Sequence, residues 1–192
     1  MPQRPSLIRI VGVALAMLAA AASAAGPQSD SLVGREVPPY PAGLDELQGT
    51  CIAGGPSFAQ VCDYSLTVIG RFATDPAMGA TPTQLLALRN LDTGARQARW
   101  NVTDAVAVPK PRKGYGLQIG TCRIDRVDKP GVVAFVRHGD REYSRDVRWA
   151  REFDIASGRL LPVASKRVDC VNEGLGTSLR SQALRRSELS CA

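Results

Sequence analysis

Residues 1–24 carry the pattern of a secretory signal peptide. This segment constrains the fold more than any other because it decides what the cysteines become. Arg4 and Arg9 form a positive start, residues 10–22 an uncharged apolar core, and Ala22-Ser23-Ala24 a small-x-small cleavage site. The apolar run is shorter than the roughly 20 residues that span a bilayer, and no second run follows it. The expectation is a periplasmic or secreted protein with no membrane span, its mature chain beginning at Ala25. Because Ala25 is not a cysteine, no lipid anchor is expected.

Export leaves five cysteines, Cys51, Cys62, Cys122, Cys170 and Cys191, in an oxidising compartment, where the default state is the disulfide. Spacing alone does not choose the pairing, but an internal similarity bears on it. Leu47-Gln48-Gly49-Thr50-Cys51 recurs as Leu117-Gln118-Ile119-Gly120-Thr121-Cys122. Leu91-Asp92-Thr93-Gly94 has a counterpart in Ile155-Ala156-Ser157-Gly158, and Thr103-Asp104-Ala105-Val106 in Val168-Asp169-Cys170-Val171, at offsets of 64 and 65 residues. These matches fall in one order, which suggests a duplicated unit over 47–106 and 117–171. Cys122 and Cys170 then bound the second unit and favour each other. Cys51 and Cys62 remain for a local loop. Cys191 is left over for a free thiol, an alternative pairing or a disulfide-linked dimer. No Cys-x-x-Cys motif supports redox catalysis.

The body of the chain reads as strands and turns. Strand-like runs cover 65–72, 85–91, 95–102, 117–124, 131–137, 147–155 and 160–163. Asp92-Thr93-Gly94, Asp128-Lys129-Pro130-Gly131 and Ala156-Ser157-Gly158 supply the turns. Residues 106–116 hold Pro109, Pro111 and Gly114 and read as a loop. Residues 25–43 are Pro-rich and read as an extended arm packed by Tyr40. A helical turn is expected near 44–48 and a short C-terminal helix over 178–189, with Ser178 as its cap. The predicted fold is mainly β: one disulfide-braced domain over 44–192, an antiparallel sandwich or small barrel of two similar halves.

The charge does not indicate nucleic acid. Removal of residues 1–24 takes two of the 24 basic residues and none of the 18 acids, so the mature net charge is +4, ordinary for an exported domain. Ten aromatic residues in the whole chain make a poor stacking platform. His138, the single histidine, lies near Asp140, but no nucleophile motif accompanies it, and a turn role is expected. No His or Cys pair has metal-ligand spacing and Asp125 and Asp128 do not form a calcium loop, so no metal or cofactor is expected. Arg141, Arg145, Arg148 and Arg151 alternate with acids and read as a solvated face. In the 147–155 strand, Arg148, Ala150, Glu152 and Asp154 are assigned to a polar side, and Arg151 to the apolar side with Trp149 and Phe153.

The most concentrated positive patch without acids is Pro109-Lys110-Pro111-Arg112-Lys113-Gly114-Tyr115. Lys110, Arg112, Lys113 and Tyr115 are the candidate binding residues, for another exported protein or an anionic envelope polymer. With no catalytic constellation in view, the expected role is a binding or inhibitor-type module. A carboxylate-based envelope hydrolase and a structural envelope protein are the alternatives.

Overall fold

A computed structural model describes residues 32–75, 79–91 and 97–175. The signal-like segment, the Asp92-Thr93-Gly94 turn, the expected helix over 178–189 and Cys191 lie outside them. Among the described residues no helix is long and apolar enough to cross a membrane.

The fold is mainly β, with antiparallel sheets that include a curled half-barrel. The strands are β1 (Glu36–Val37), β2 (Asp45–Ile52), β3 (Tyr64–Phe72), β4 (Ala80–Asn90), β5 (Trp100–Ala107), β6 (Gly116–Ile119), β7 (Cys122–Ile124), β8 (Val127–Asp128), β9 (Val132–Arg137), β10 (Tyr143–Ser144), β11 (Asp146–Asp154), β12 (Arg159–Pro162) and β13 (Val168–Val171). They form three sheets, ordered β1-β5-β4-β3-β2, β12-β11-β9-β6 and β10-β13-β7-β8. We call these the first, second and third sheets.

Three apolar layers hold the sheets together. Leu66, Val68, Leu85 and Ala87 of the first sheet meet Val133, Phe135, Phe153 and Leu160 of the second. On its opposite face the second sheet presents Val132, Ala134, Val136, Val147 and Ala150 to Cys122, Ile124, Val168 and Cys170 of the third. Ile69, Leu86, Leu88 and Val102, on the other face of the first sheet, are covered by Leu32, Val37, Tyr40 and Leu44. This explains why β9 is the unbroken apolar run Val132-Val133-Ala134-Phe135-Val136, which no alternating strand would be: both its faces are buried.

The arm is therefore part of the core. Its β1 pairs with β5, and Tyr40 donates to Glu46 Oε2 at 2.8 Å. Burial, reinforced by that acidic acceptor, pushes the Tyr40 phenol well above its ordinary pKa.

Four other expectations change. Residues 44–48 begin strand β2 instead of a helical turn: a single turn gains little by itself, whereas β3 offers a full ladder to pair with. Of the expected 95–102 strand, residues 97–99 are not strand, and β5 starts at Trp100 and runs to Ala107 because β4 is long enough to pair with it. The 117–124 strand divides between two sheets. Gly120, at φ +78, turns the chain out of the second sheet into the third, and a methyl built there would lie 3.4 Å from the Thr50 hydroxyl. Finally, Ala150 is 4% exposed instead of facing solvent, because the third sheet covers its side of β11.

The cysteines pair as Cys51–Cys62 and Cys122–Cys170. The first bond closes a surface loop whose short 3-10 turn leaves Phe58 92% exposed. The second lies directly across the β7–β13 ladder and is buried. The two four-stranded runs β2-β3-β4-β5 and β6-β9-β11-β12 have the same antiparallel order. The Asp-x-Val match does not follow this correspondence, since Asp104 lies on β5 of the first sheet and Asp169 on β13 of the third.

Candidate functional site

The Pro-rich loop crosses from the first sheet to the second. Val108 N–H donates to Thr83 O at one end, and Tyr115 N–H closes a turn on Arg112 O at the other, with Gly114 at φ +83 supplying the bend. Gly116 then pairs with Val136 on β9, which sets Tyr115 beside Arg137 and the start of β11.

The site's key irregularity is in β11. Between Val147 and Trp149 the register with β9 shifts, so Arg148 has no partner of its own in the ladder. A bulge of this kind re-aims a side chain. Arg148 Nε donates to the Tyr115 hydroxyl at 3.0 Å, and that hydroxyl donates to Asp146 Oδ1 at 2.6 Å. Arg137 Nη2 holds the other oxygen of Asp146. Both guanidinium groups also flank the Tyr115 ring, 5.5 and 5.7 Å from its centroid. Trp149 pairs with Phe135 across the ladder, with ring centroids 5.9 Å apart.

The result is a cleft of about 300 Å³ lined by Pro109, Lys110, Arg112, Tyr115, Phe135, Arg148 and Trp149. Of the four residues expected from the sequence, the structure brings Lys110, Arg112 and Tyr115 to this cleft, while Lys113 is not part of the lining. Phe135, Arg148 and Trp149 were missed as site residues. The alternation of Trp149 with its neighbours reads as core, and Arg148 reads as one charge in a mixed series. Only strand pairing and the bulge place them opposite the loop.

The Tyr115 hydroxyl and then the Arg137 guanidinium hold the Asp146 carboxyl below its ordinary pKa of 3.8. Its folded value therefore lies below its unfolded one, and the contribution to stability is present above about 3.8 and disappears as pH falls through the lowered value. Asp125, paired with Arg167, and Asp154, bonded by Ser157, are lowered in the same sense. We predict that Asp146→Asn shows a shallower loss of thermal midpoint than the parent as pH is lowered through the acid range. Identical slopes in the two proteins would mean that the Tyr115–Asp146–Arg137 network does not form in solution.

The remaining candidates fall elsewhere. His138 meets Ser144 instead of Asp140, with Nδ1 3.2 Å from a hydroxyl whose residue is 5% exposed, so this contact closes the 138–144 loop on β10. Asn172 secures the same loop by donating to Gly139 O and Arg141 O. Arg151 is half-buried on β11. Among the described residues no group of three or more His, Cys, Asp or Glu could hold a metal ion. Comparison with protein-family models, curated proteins and solved structures gives no match to this chain.

Proposed function

We propose that the protein is an exported binding module, and that its Tyr115 cleft receives an acidic segment of another exported protein. The observation that carries this reading is the lining itself. Lys110, Arg112 and Arg148 surround an apolar floor of Phe135 and Trp149, and among the described residues no carboxylate lines the cleft. An acidic peptide bearing an apolar side chain satisfies both halves of such a surface, with charge at the rim and a buried anchor at the centre. An anionic polymer without apolar groups would leave the floor unused. The absence of a lining carboxylate also sets the cleft apart from the paired acids that a carboxylate-based hydrolase requires. The two intramolecular disulfides fit an oxidising, extracytoplasmic location. The matching strand order of the two meanders fits a body of two similar halves.

The test uses Trp149 as reporter in a Trp100→Phe background. Titration with a Glu-rich peptide containing one phenylalanine should give a saturable fluorescence change. Two charge-assisted contacts are lost in Arg112→Ala/Arg148→Ala, so affinity should fall by about tenfold or more. An equal response to inorganic polyphosphate, or to the same peptide with alanine in place of phenylalanine, would contradict this reading.

A further inference from the structure

A second positive cluster lies on the third sheet. Strands β7 and β8 form a hairpin in which Ile124 pairs with Val127, leaving a two-residue turn, Asp125-Arg126. Both turn residues have positive φ, +50 and +69. Hairpins of this class favour Asn-Gly or Asp-Gly, because the left-handed conformation crowds any Cβ and only glycine escapes the penalty. The chain has aspartate at the first position, as the turn prefers, but a large cation where glycine is the low-strain choice. Such an outlier points to a use for the side chain.

The surroundings of Arg126 supply one. A groove of about 450 Å³ is lined by Asp125, Arg126, Arg145, Lys166, Arg167, Val168 and Asp169. Its two carboxylates are already occupied. Asp125 accepts from Arg167 Nε at 2.9 Å and from Nη2 of the same group, while its own N–H donates to Arg167 O at 2.8 Å. Asp169 accepts from Arg123 Nε and Nη2 at 2.7 and 2.9 Å, and Arg123 is in turn stacked on the Tyr143 ring. Arg145 approaches Asp169 only to 3.8 Å, too far for a hydrogen bond. Arg126 and Lys166 have no hydrogen-bond or ion-pair partner among the described residues. The groove therefore holds three cations with donors to spare and one, Arg167, fixed in place by Asp125. The acids act as struts for the arginines, Asp169 holds Arg145 only as a 3.8 Å ion pair, and the lining keeps an excess of positive charge carried by Arg126 and Lys166.

We propose that this groove is a binding site for a phosphate monoester group, with Arg126, Arg145 and Lys166 as its direct donors. A tetrahedral dianion offers enough acceptor oxygens to meet several donors converging from different elements, here a hairpin tip, the residue before β11 and the segment ahead of β13. The groove is open and polar, as suits a phosphate carried on a larger group. This site is separate in residues and chemistry from the Tyr115 cleft, and either can fail without the other.

Three charge-assisted contacts correspond to a dissociation constant on the order of 0.1 mM for the phosphate group alone. The experiment measures the thermal midpoint at constant ionic strength with inorganic phosphate and with glucose 6-phosphate. It also measures sedimentation with vesicles of phosphatidylcholine, with and without phosphatidic acid. At a free ligand concentration about 100 times Kd, the midpoint should rise by roughly 5–10 °C. Arg126→Gly restores the preferred Asp-Gly turn, so it should be at least as stable as the parent without phosphate and yet lose most of the phosphate-induced rise. Lys166→Ala, at an exposed position, should lose most of it too. A rise with the soluble compounds and no vesicle binding assigns the site to a small phosphate ester. Sedimentation only with phosphatidic acid, abolished in both variants, assigns it to a lipid headgroup. No response to any probe, or a response that Arg126→Gly and Lys166→Ala leave intact, overturns the proposal.

Discussion

Removing the Cys122–Cys170 bond should lower the thermal midpoint by roughly 8–16 °C. The two cysteines are 48 residues apart, and cross-linking a loop of that size restricts the unfolded chain by about 4 kcal/mol on a chain-entropy estimate. The folded state adds to this. Cys122 and Cys170 are 1% and 0% exposed and sit within the layer between the second and third sheets, so Cys122→Ala/Cys170→Ala also loses packing. The Cys51–Cys62 bond closes only 11 residues, worth about 3 kcal/mol on the same estimate, and Cys51 is exposed. The double-alanine variants should therefore rank clearly in circular-dichroism melts. A larger loss for Cys51→Ala/Cys62→Ala would sink this account of what the buried bond does.

Phe135→Ala should cost about 3–5 kcal/mol, measured as a fall in the urea midpoint at unchanged slope. Phe135 is 4% exposed, lies in the layer between the first and second sheets, and packs its ring on Trp149. It also lines the cleft, so the residue links stability to the proposed binding. Phe135→Leu separates the two roles: it refills most of the core volume but removes the aromatic floor. The expected pattern is near-parental stability for Phe135→Leu with weakened peptide binding in the Trp149 titration. A loss below about 1 kcal/mol for Phe135→Ala would mean that the first and second sheets do not enclose this ring.

How much of the fold is legible in the chain depends on what each signal encodes. The runs at 65–72, 131–137, 147–155 and 160–163 match β3, β9, β11 and β12 within a residue or two. Each is apolar or alternating and is bounded by turn residues, such as Gly158 at φ +69. The 44–48 segment misleads because Asp45-Glu46-Leu47-Gln48 suits a helix as readily as an edge strand, and only the neighbouring β3 decides. The 117–124 segment misleads for a different reason. Gly120 is visible in the sequence, but a glycine within an apolar run does not say whether it bulges a strand or redirects it.

The candidate site divides in the same way. Lys110, Arg112 and Tyr115 are contiguous in the chain, and a charge cluster between prolines is visible without structure. Their partners Phe135, Arg148 and Trp149 lie 20 or more residues away on two strands. Arg126, Arg145 and Lys166 are likewise scattered among charges that look like an ordinary solvated surface. Only the partners of the neighbouring acids, Arg123 on Asp169 and Arg167 on Asp125, show that Arg126 and Lys166 are unpaired among the described residues and that Arg145 is held by a long ion pair alone.

From its sequence alone, this protein can be read as a mainly antiparallel β chain, with Cys122 favouring Cys170 and Cys51 left for Cys62. The β character rests on composition, alternation and nearby turn residues, which act over a few positions; the pairing rests on an order of short motifs of which the Asp-x-Val match does not align in the structure. Tertiary structure alone decided that three sheets stack with the second buried on both faces, that the arm seals the first, and that a bulge turns Arg148 toward Tyr115. These depend on which faces meet and on one residue of register. Side-chain direction alternates along a strand, so a single-residue shift carries a group from core to surface.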